Sequence, residues 1–488
     1  MFPRFTLSVL VTLFWVSVCS AQKPPPPDSG PLRLVPLMFT SNKGGLFSAE
    51  LGQLRVPENR TNRKSKRVTL PILKLKSRIE KPGPPIIYLA DGPGAMATKE
   101  GFILESIFQP LLRNHDIILM DQRGVGRSKP RVFWESPASQ PLDYFLSYEN
   151  MLMQDRWASE QAVARFKRQK IDFKGYNTIE SADDLKDLAA ALGVKKLILV
   201  GYGYGTHLAL ATMRRYPGLV HSAVLVGPKG PDHLLMLPST MDQHFQNVSD
   251  LAVKDQATRI KVANLTSLTK IILRRLDRVP VGLSVRDRRT RKMVRVELGK
   301  FGLQWIIARQ LSEKKYFVEL PAMLHLIAKQ DYSMLRRHVE RLYNETGRGI
   351  SGMSYLMRLH SGATMDRLAL IVRESGDAIL GNAMNYPVFD VPDIWGHPDL
   401  GNSYRTQIDS EHRVLFVSGS LDPGALPSQT EEIRQGFPNG VHCVVENADH
   451  SDVLAHERAQ RVILDFLVDK PVNDMRISLN PPDFLPLP

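Results

Sequence analysis

Cysteine is nearly absent: the 488-residue chain has two, Cys19 and Cys443. So few exclude a small scaffold held together by disulfides. No internal repeat at a solenoid period is visible, which excludes a stacked array. The one N-terminal apolar run is short for an uncleaved membrane anchor. The basic residues carry no aromatic interleaving and belong to no nucleic-acid module, so nucleic acid is not an expected partner. What remains is ordinary globular composition, 43% hydrophobic and 23% charged. At this length it suits one large domain with an insertion, or two domains.

The net charge is +14. Two clusters supply much of it, one at Arg60, Arg63, Lys64, Lys66 and Arg67, the other at Arg286, Arg288, Arg289, Arg291, Lys292 and Arg295. Both flank turn-like sequence and read as solvated hairpin tips. The opening MFPRFTLSVLVTLFWVSVCSA has a positive residue, an apolar run and small closing residues. It reads as a signal peptide over 1–21 cleaved after Ala21, which implies a secreted or periplasmic protein with no stable membrane insertion. A Pro-rich spacer follows over 22–32. Once the leader is gone only Cys443 is left. In the run VHCVV it reads as a small buried hydrophobe.

Apolar runs ending at glycine turns then alternate with helical patterns. PPIIYLA leads to DGPG, HDIILM to DQRGVGRS, and KKLILV to GYGYGTHLALATMRRY; SAVLVG follows. A helix over SADDLKDLAAAL is expected to open with Ser181 and Asp184 as a capping box. Such alternation predicts an α/β fold with a mostly parallel central sheet flanked by helices. From residue 230 to about 407 the period turns helical, and the strand–helix pattern returns at RVLFVSGSLDP. The expected organisation is a sheet domain over 33–229 and 408–488, interrupted by a helical cap over 230–407.

One turn carries chemistry. In a G-x-S-x-G elbow a strand turns sharply into a helix, and the middle side chain is held exposed as a nucleophile. Here the turn is Gly201-Tyr202-Gly203-Tyr204-Gly205, with glycine in the serine position. An acid and a histidine follow in the order this elbow requires, Asp422 after one strand and His450 after the next.

VPENR, YLADGPG, DQRGVGRS, GYGYGT, SGSLDP and NADH, in this order, resemble the prolyl and tripeptidyl aminopeptidase branch of the α/β hydrolases. The resemblance implies that fold with its inserted cap, a serine exopeptidase or esterase ancestry, and no metal or organic cofactor. It implies Gly203 in the nucleophile slot, Asp422 as triad acid and His450 as base. Oxyanion donors would be the Tyr204 N–H and the turn containing Gly92. Asp121 and Arg123 would brace the DQRG turn. Asp91 stands where relatives tend to have glycine, a carboxylate at a site that should attract an oxyanion. The segment MRLHSG, residues 357–362, lacks the cysteine and the amine-binding glutamate of relatives.

Without the hydroxyl no acyl-enzyme can form, at a cost on the order of 10⁶ in turnover. Three readings follow. The chain is a non-catalytic protein binding a peptide, amide or ester. It is an altered hydrolase, with water activated by His450 or Asp91 as base. Or it is an adhesion or structural protein.

Overall fold

The computed structural model describes residues 31–41, 44–100, 105–396 and 399–488. The expected signal peptide and all but the last two residues of the Pro-rich spacer lie outside these. Ten strands form the central sheet: β1 (Leu32–Thr40), β2 (Leu46–Pro57), β3 (Arg67–Leu75), β4 (Gly83–Leu89), β5 (His115–Met120), β6 (Leu197–Tyr202), β7 (Val220–Val226), β8 (Arg413–Gly419), β9 (Gly440–Glu446) and β10 (Met475–Ser478). Their spatial order is β1-β2-β3-β5-β4-β6-β7-β8-β9-β10. β1, β2, β3 and β5 pair antiparallel, and from β5 through β10 every neighbour is parallel.

The burial patterns explain the change. In β2 buried and exposed residues alternate, as for a strand with one wet face. In β6 and β8 nearly every residue is buried, which requires helices on both faces. Ile86 and Tyr88 point into one apolar layer with Ile198, Val200, Val224 and Leu415. Ile87 and Leu89 point into the other with Leu199, Leu225 and Val414. Period-two alternation thus splits one strand between two cores.

The helices that matter for the site are α1 (Tyr148–Arg168), α2 (Thr178–Leu192), α3 (Tyr204–Arg215), α4 (Gly352–Ser361) and α5 (Glu457–Leu467). α2 and α3 cover one sheet face, and α5 covers the other through Ala459, Ile463 and Phe466. α2 begins earlier than the capping-box expectation. Asn177 is its N-cap, its side chain accepting from Glu180 N at 2.9 Å. Ser181 and Asp184 are interior, and Asp184 is engaged by Arg123 instead.

That arginine closes a buried network. Its Nε and Nη2 donate to Asp184 at 2.8 and 2.6 Å, and its Nη1 donates to Glu58 O at 2.6 Å and to Gly175 O. Asp121 accepts from Thr98 N at 3.0 Å and Arg127 N at 3.3 Å. The DQRG turn is therefore a brace tying β5 to α2. Arg60 joins the network through Glu180, Asp184 and Asp187. It is not a solvated hairpin tip, because three carboxylates on one face of α2 draw it inward.

A third apolar layer holds Phe245, Ile306, Leu324 and Val339 from the 230–407 region. Tyr144, Phe145 and Met151, from before the elbow, pack into the same layer. Arg286 and Met293 face each other across an antiparallel hairpin whose turn carries the second basic cluster. Among the described residues no helix is long and apolar enough to cross a membrane.

Candidate active site

The sheet topology brings four turns together. β4 lies between β5 and β6, so the chain leaves β4 on one side and returns on the other. Ligands of open α/β sheets bind at the carboxyl ends of strands beside such a reversal. Asp91 follows β4, Gly203 follows β6, and Asp422 and His450 follow β8 and β9. A cavity of about 660 Å³ lined by Lys196, His221 and Arg413 lies at the opposite ends of the strands.

The elbow is formed. Gly203 has φ 52° and ψ −115°, a left-handed backbone that favours glycine. Its N–H donates to Val226 O at 2.9 Å, and Thr206 Oγ1 donates to Gly203 O at 2.6 Å. Gly205 lies so close to β4 that an added Cβ would overlap Leu89 O. Here strand and helix approach as the motif demands.

His450 Nδ1 lies 2.5 Å from Asp422 Oδ2. Its ring stacks on Tyr202 with centroids 4.4 Å apart, and the Tyr202 hydroxyl donates to His450 O at 3.0 Å. The second face of the histidine is unlike a serine triad. Nε2 lies 3.3 Å from Asp91 Oδ2. Asp91 Oδ1 accepts the Tyr204 N–H at 3.0 Å. A Cβ built on Gly203 would overlap Asp91 Oδ1 and Cγ. The Asp91 carboxylate thus fills the space a serine side chain would take, and it occupies the Tyr204 oxyanion donor. Gly92, the other expected donor position, follows Asp91 in the same turn with φ 121°.

The charges are mutually dependent. Burial alone would push the His450 imidazolium down, but Asp422 and then Asp91 outweigh it and raise it to about 10. Burial opposes ionisation of Asp91, yet His450, Lys229 and the Tyr204 amide hold it well below the usual carboxylate range. Asp422 is lowered against its burial by His450 and Lys229. At neutral pH the centre is a cation between two anions. Arg358, on α4 within the MRLHSG segment, is lowered by burial while the Asp91 charge favours its ionised form. Ser354, one turn earlier, donates to Pro93 O at 2.9 Å and ties α4 to the Asp91 turn.

Thr206 and His207 serve packing. His207 is fully buried, with Nδ1 3.0 Å from Gly230 O and Nε2 2.6 Å from the Tyr404 hydroxyl; burial pushes it down to about 4. Among the described residues no group of three or more His, Cys, Asp or Glu side chains is arranged to hold a metal. Sequence reasoning missed the stacking of Tyr202 and the seat of Asp91. The signal for the second was the pairing of an unusual acid with an unusual glycine.

Residues 85–266 match the α/β hydrolase fold family. The chain is 27% identical over 188 residues to a tripeptidyl aminopeptidase of Streptomyces coelicolor, covering 36% of this chain and 34% of that protein. It is 27% identical over 151 residues to the serine protease Hip1 of Mycobacterium tuberculosis, covering 29% of this chain and 28% of that protein. The aligned segment thus spans about a third of the length of these relatives. A thermophilic esterase of Thermogutta terrifontis aligns over 85% of this chain and 98% of its own, with 14% identity and a TM-score of 0.37. The match over residues 85–266, the parallel sheet and the strand–elbow–helix turn at Gly203 agree: the chain has the α/β-hydrolase fold and is similar to tripeptidyl aminopeptidases and related serine peptidases.

Proposed function

We propose that this protein is an exported α/β-hydrolase-fold protein that binds a peptide, amide or ester ligand and does not cleave it by serine acyl transfer. One observation carries the reading: the Asp91 carboxylate sits in the nucleophile slot, bonded to both His450 and the Tyr204 amide. An anion there repels the negative charge that grows on a carbonyl oxygen under attack, and it takes the donor that would stabilise it. The reading in which His450 activates water needs a neutral imidazole. Asp422 and Asp91 keep the ring charged up to about pH 10, so it has no free basic nitrogen at neutral pH.

The test is a panel of aminoacyl p-nitroanilides and simple esters, with a fluorophosphonate as label. The expected result is no labelling, no turnover above buffer, and saturable binding of unreactive peptide amides by calorimetry. Turnover that disappears in His450→Ala would overturn the reading.

A further inference from the structure

Beside the triad positions stands a cation that the protein itself does not pair. Arg358 lies on α4, the helix that Ser354 ties to the Asp91 turn. Ser354 and Arg358 are one helical turn apart and share a face. The Arg358 side chain is half-buried, and among the described residues it makes no hydrogen bond and no ion pair. A second guanidinium is close by. Arg309, on the helix Lys300–Leu311, sits over the Trp305 ring, 5.2 Å from its centroid. It too has no hydrogen bond or ion pair among the described residues, and its charge opposes that of Arg358.

The acids that favour these two charges are engaged elsewhere. Asp91, which acts on Arg358, is held by His450 and the Tyr204 amide. Glu345 and Glu313, which act on Arg309, pair with Arg341 at 3.1 Å and Lys315 at 2.6 Å. Asp155, whose charge reaches Tyr355 as that of Arg358 does, accepts from the Tyr144 and Tyr386 hydroxyls instead. Burial works against both guanidinium charges, and two like charges with no anion between them repel. Such a pair beside a binding site calls for an anion brought in by the ligand.

We propose that Arg358, assisted by Arg309, binds a carboxylate of the ligand, so that the ligand is an acidic peptide, with the carboxylate at its C-terminus or on a side chain. The inference rests on the binding reading and gives it a ligand class. A guanidinium offers two parallel N–H donors to the two oxygens of a carboxylate, which a neutral amide end cannot match. Asp91 repels an anion placed at the elbow, so the ligand's charge is directed to the Arg358 side and its neutral part to Asp91 and His450. A phosphate dianion would meet about twice that repulsion, which favours a carboxylate.

The experiment uses the full chain, calorimetry and three peptides: Ala-Ala-Ala with a free carboxylate, its amide, and Ala-Ala-Glu amide. At least one acidic peptide is expected to bind about tenfold tighter than Ala-Ala-Ala amide, and the one that gains shows whether the chain end or the side chain supplies the carboxylate. Arg358→Gln removes the gain, Arg358→Lys restores part of it, and Arg288→Gln, at an exposed residue of the basic hairpin, leaves it intact. Equal affinity for acid and amide, or a gain that survives in Arg358→Gln, overturns the proposal and leaves the binding reading standing. Glutarate alone is the arm that needs no peptide. It is expected to raise the thermal melt of the unaltered protein and not that of Arg358→Gln, and to displace the acidic peptides. If no peptide binds while glutarate still acts through Arg358, the peptide reading fails and the carboxylate site stands. Inorganic phosphate acting as strongly as glutarate overturns the carboxylate assignment. Displacement in the unaltered protein keeps the test decisive if Arg358→Gln does not fold: acidic peptide that glutarate cannot displace overturns the proposal.

Discussion

Gly203 and Asp91 are one feature. A serine at 203 alone brings its Cβ into the Asp91 carboxylate, so Gly203→Ser is expected to show no hydrolysis of aminoacyl p-nitroanilides and to lose stability. Removing the plug as well, in Asp91→Gly with Gly203→Ser, frees the Tyr204 donor and leaves His450 with a single carboxylate. Hydrolysis of aminoacyl p-nitroanilides is expected from the double variant and not from either single one. Activity in Gly203→Ser alone would show that Asp91 does not hold the slot.

The same residues set a pH window. His450 is raised, so its contribution to stability is full below the unfolded value of about 6.5 and is lost as pH rises through about 10. Asp91 and Asp422 are lowered, so theirs is full above the unfolded value of about 3.9 and is lost as pH falls through the folded values. In an NMR titration the His450 ring proton is expected to stay at its protonated shift from about pH 5 to about pH 8. A midpoint inside that span would contradict the ion cluster.

At the scale of elements, the brace between β5 and α2 should matter more than its distance from the site suggests. Arg123 is fully buried and satisfies Asp184 and two carbonyls. Arg123→Ala leaves buried carboxylates short of a partner and should cost about 3–5 kcal/mol in urea unfolding. Arg60 still faces Glu180 and Asp184, so a loss below about 1 kcal/mol would mean it compensates fully. Gly205→Ala tests the elbow's packing. Its methyl meets Leu89 O, a backbone atom that cannot turn aside, and should cost about 1–3 kcal/mol in the same assay. Strands and elbow were legible in the sequence because apolar runs stopping at glycine turns have few other uses. The start of α2 was not. Asn177, Ser181 and Asp184 all suit a cap, and the choice fell to Arg123 and Arg60, which claim Asp184 from residues 61 and 124 positions away.

For the whole molecule, no disulfide is formed among the described residues, and Cys443 is free and buried. Burial pushes its thiol up to about 12, so the folded chain should resist thiol-specific reagents and the urea-unfolded chain should react. Rapid labelling of folded protein would mean that β9 opens. The order of turns along the chain, the missing hydroxyl and the surviving Asp422 and His450 were determined by the sequence alone, because they depend on local turn chemistry and on residue identity. What Asp91 does was decided only by tertiary structure. It precedes Gly203 by more than a hundred residues, and it meets the elbow because β4 pairs with β6 and ends beside it. Taken alone, an acid in that turn counts against catalysis. Seated in the space the glycine leaves, with one oxygen anchored and the other beside His450, it is the group around which the site is built.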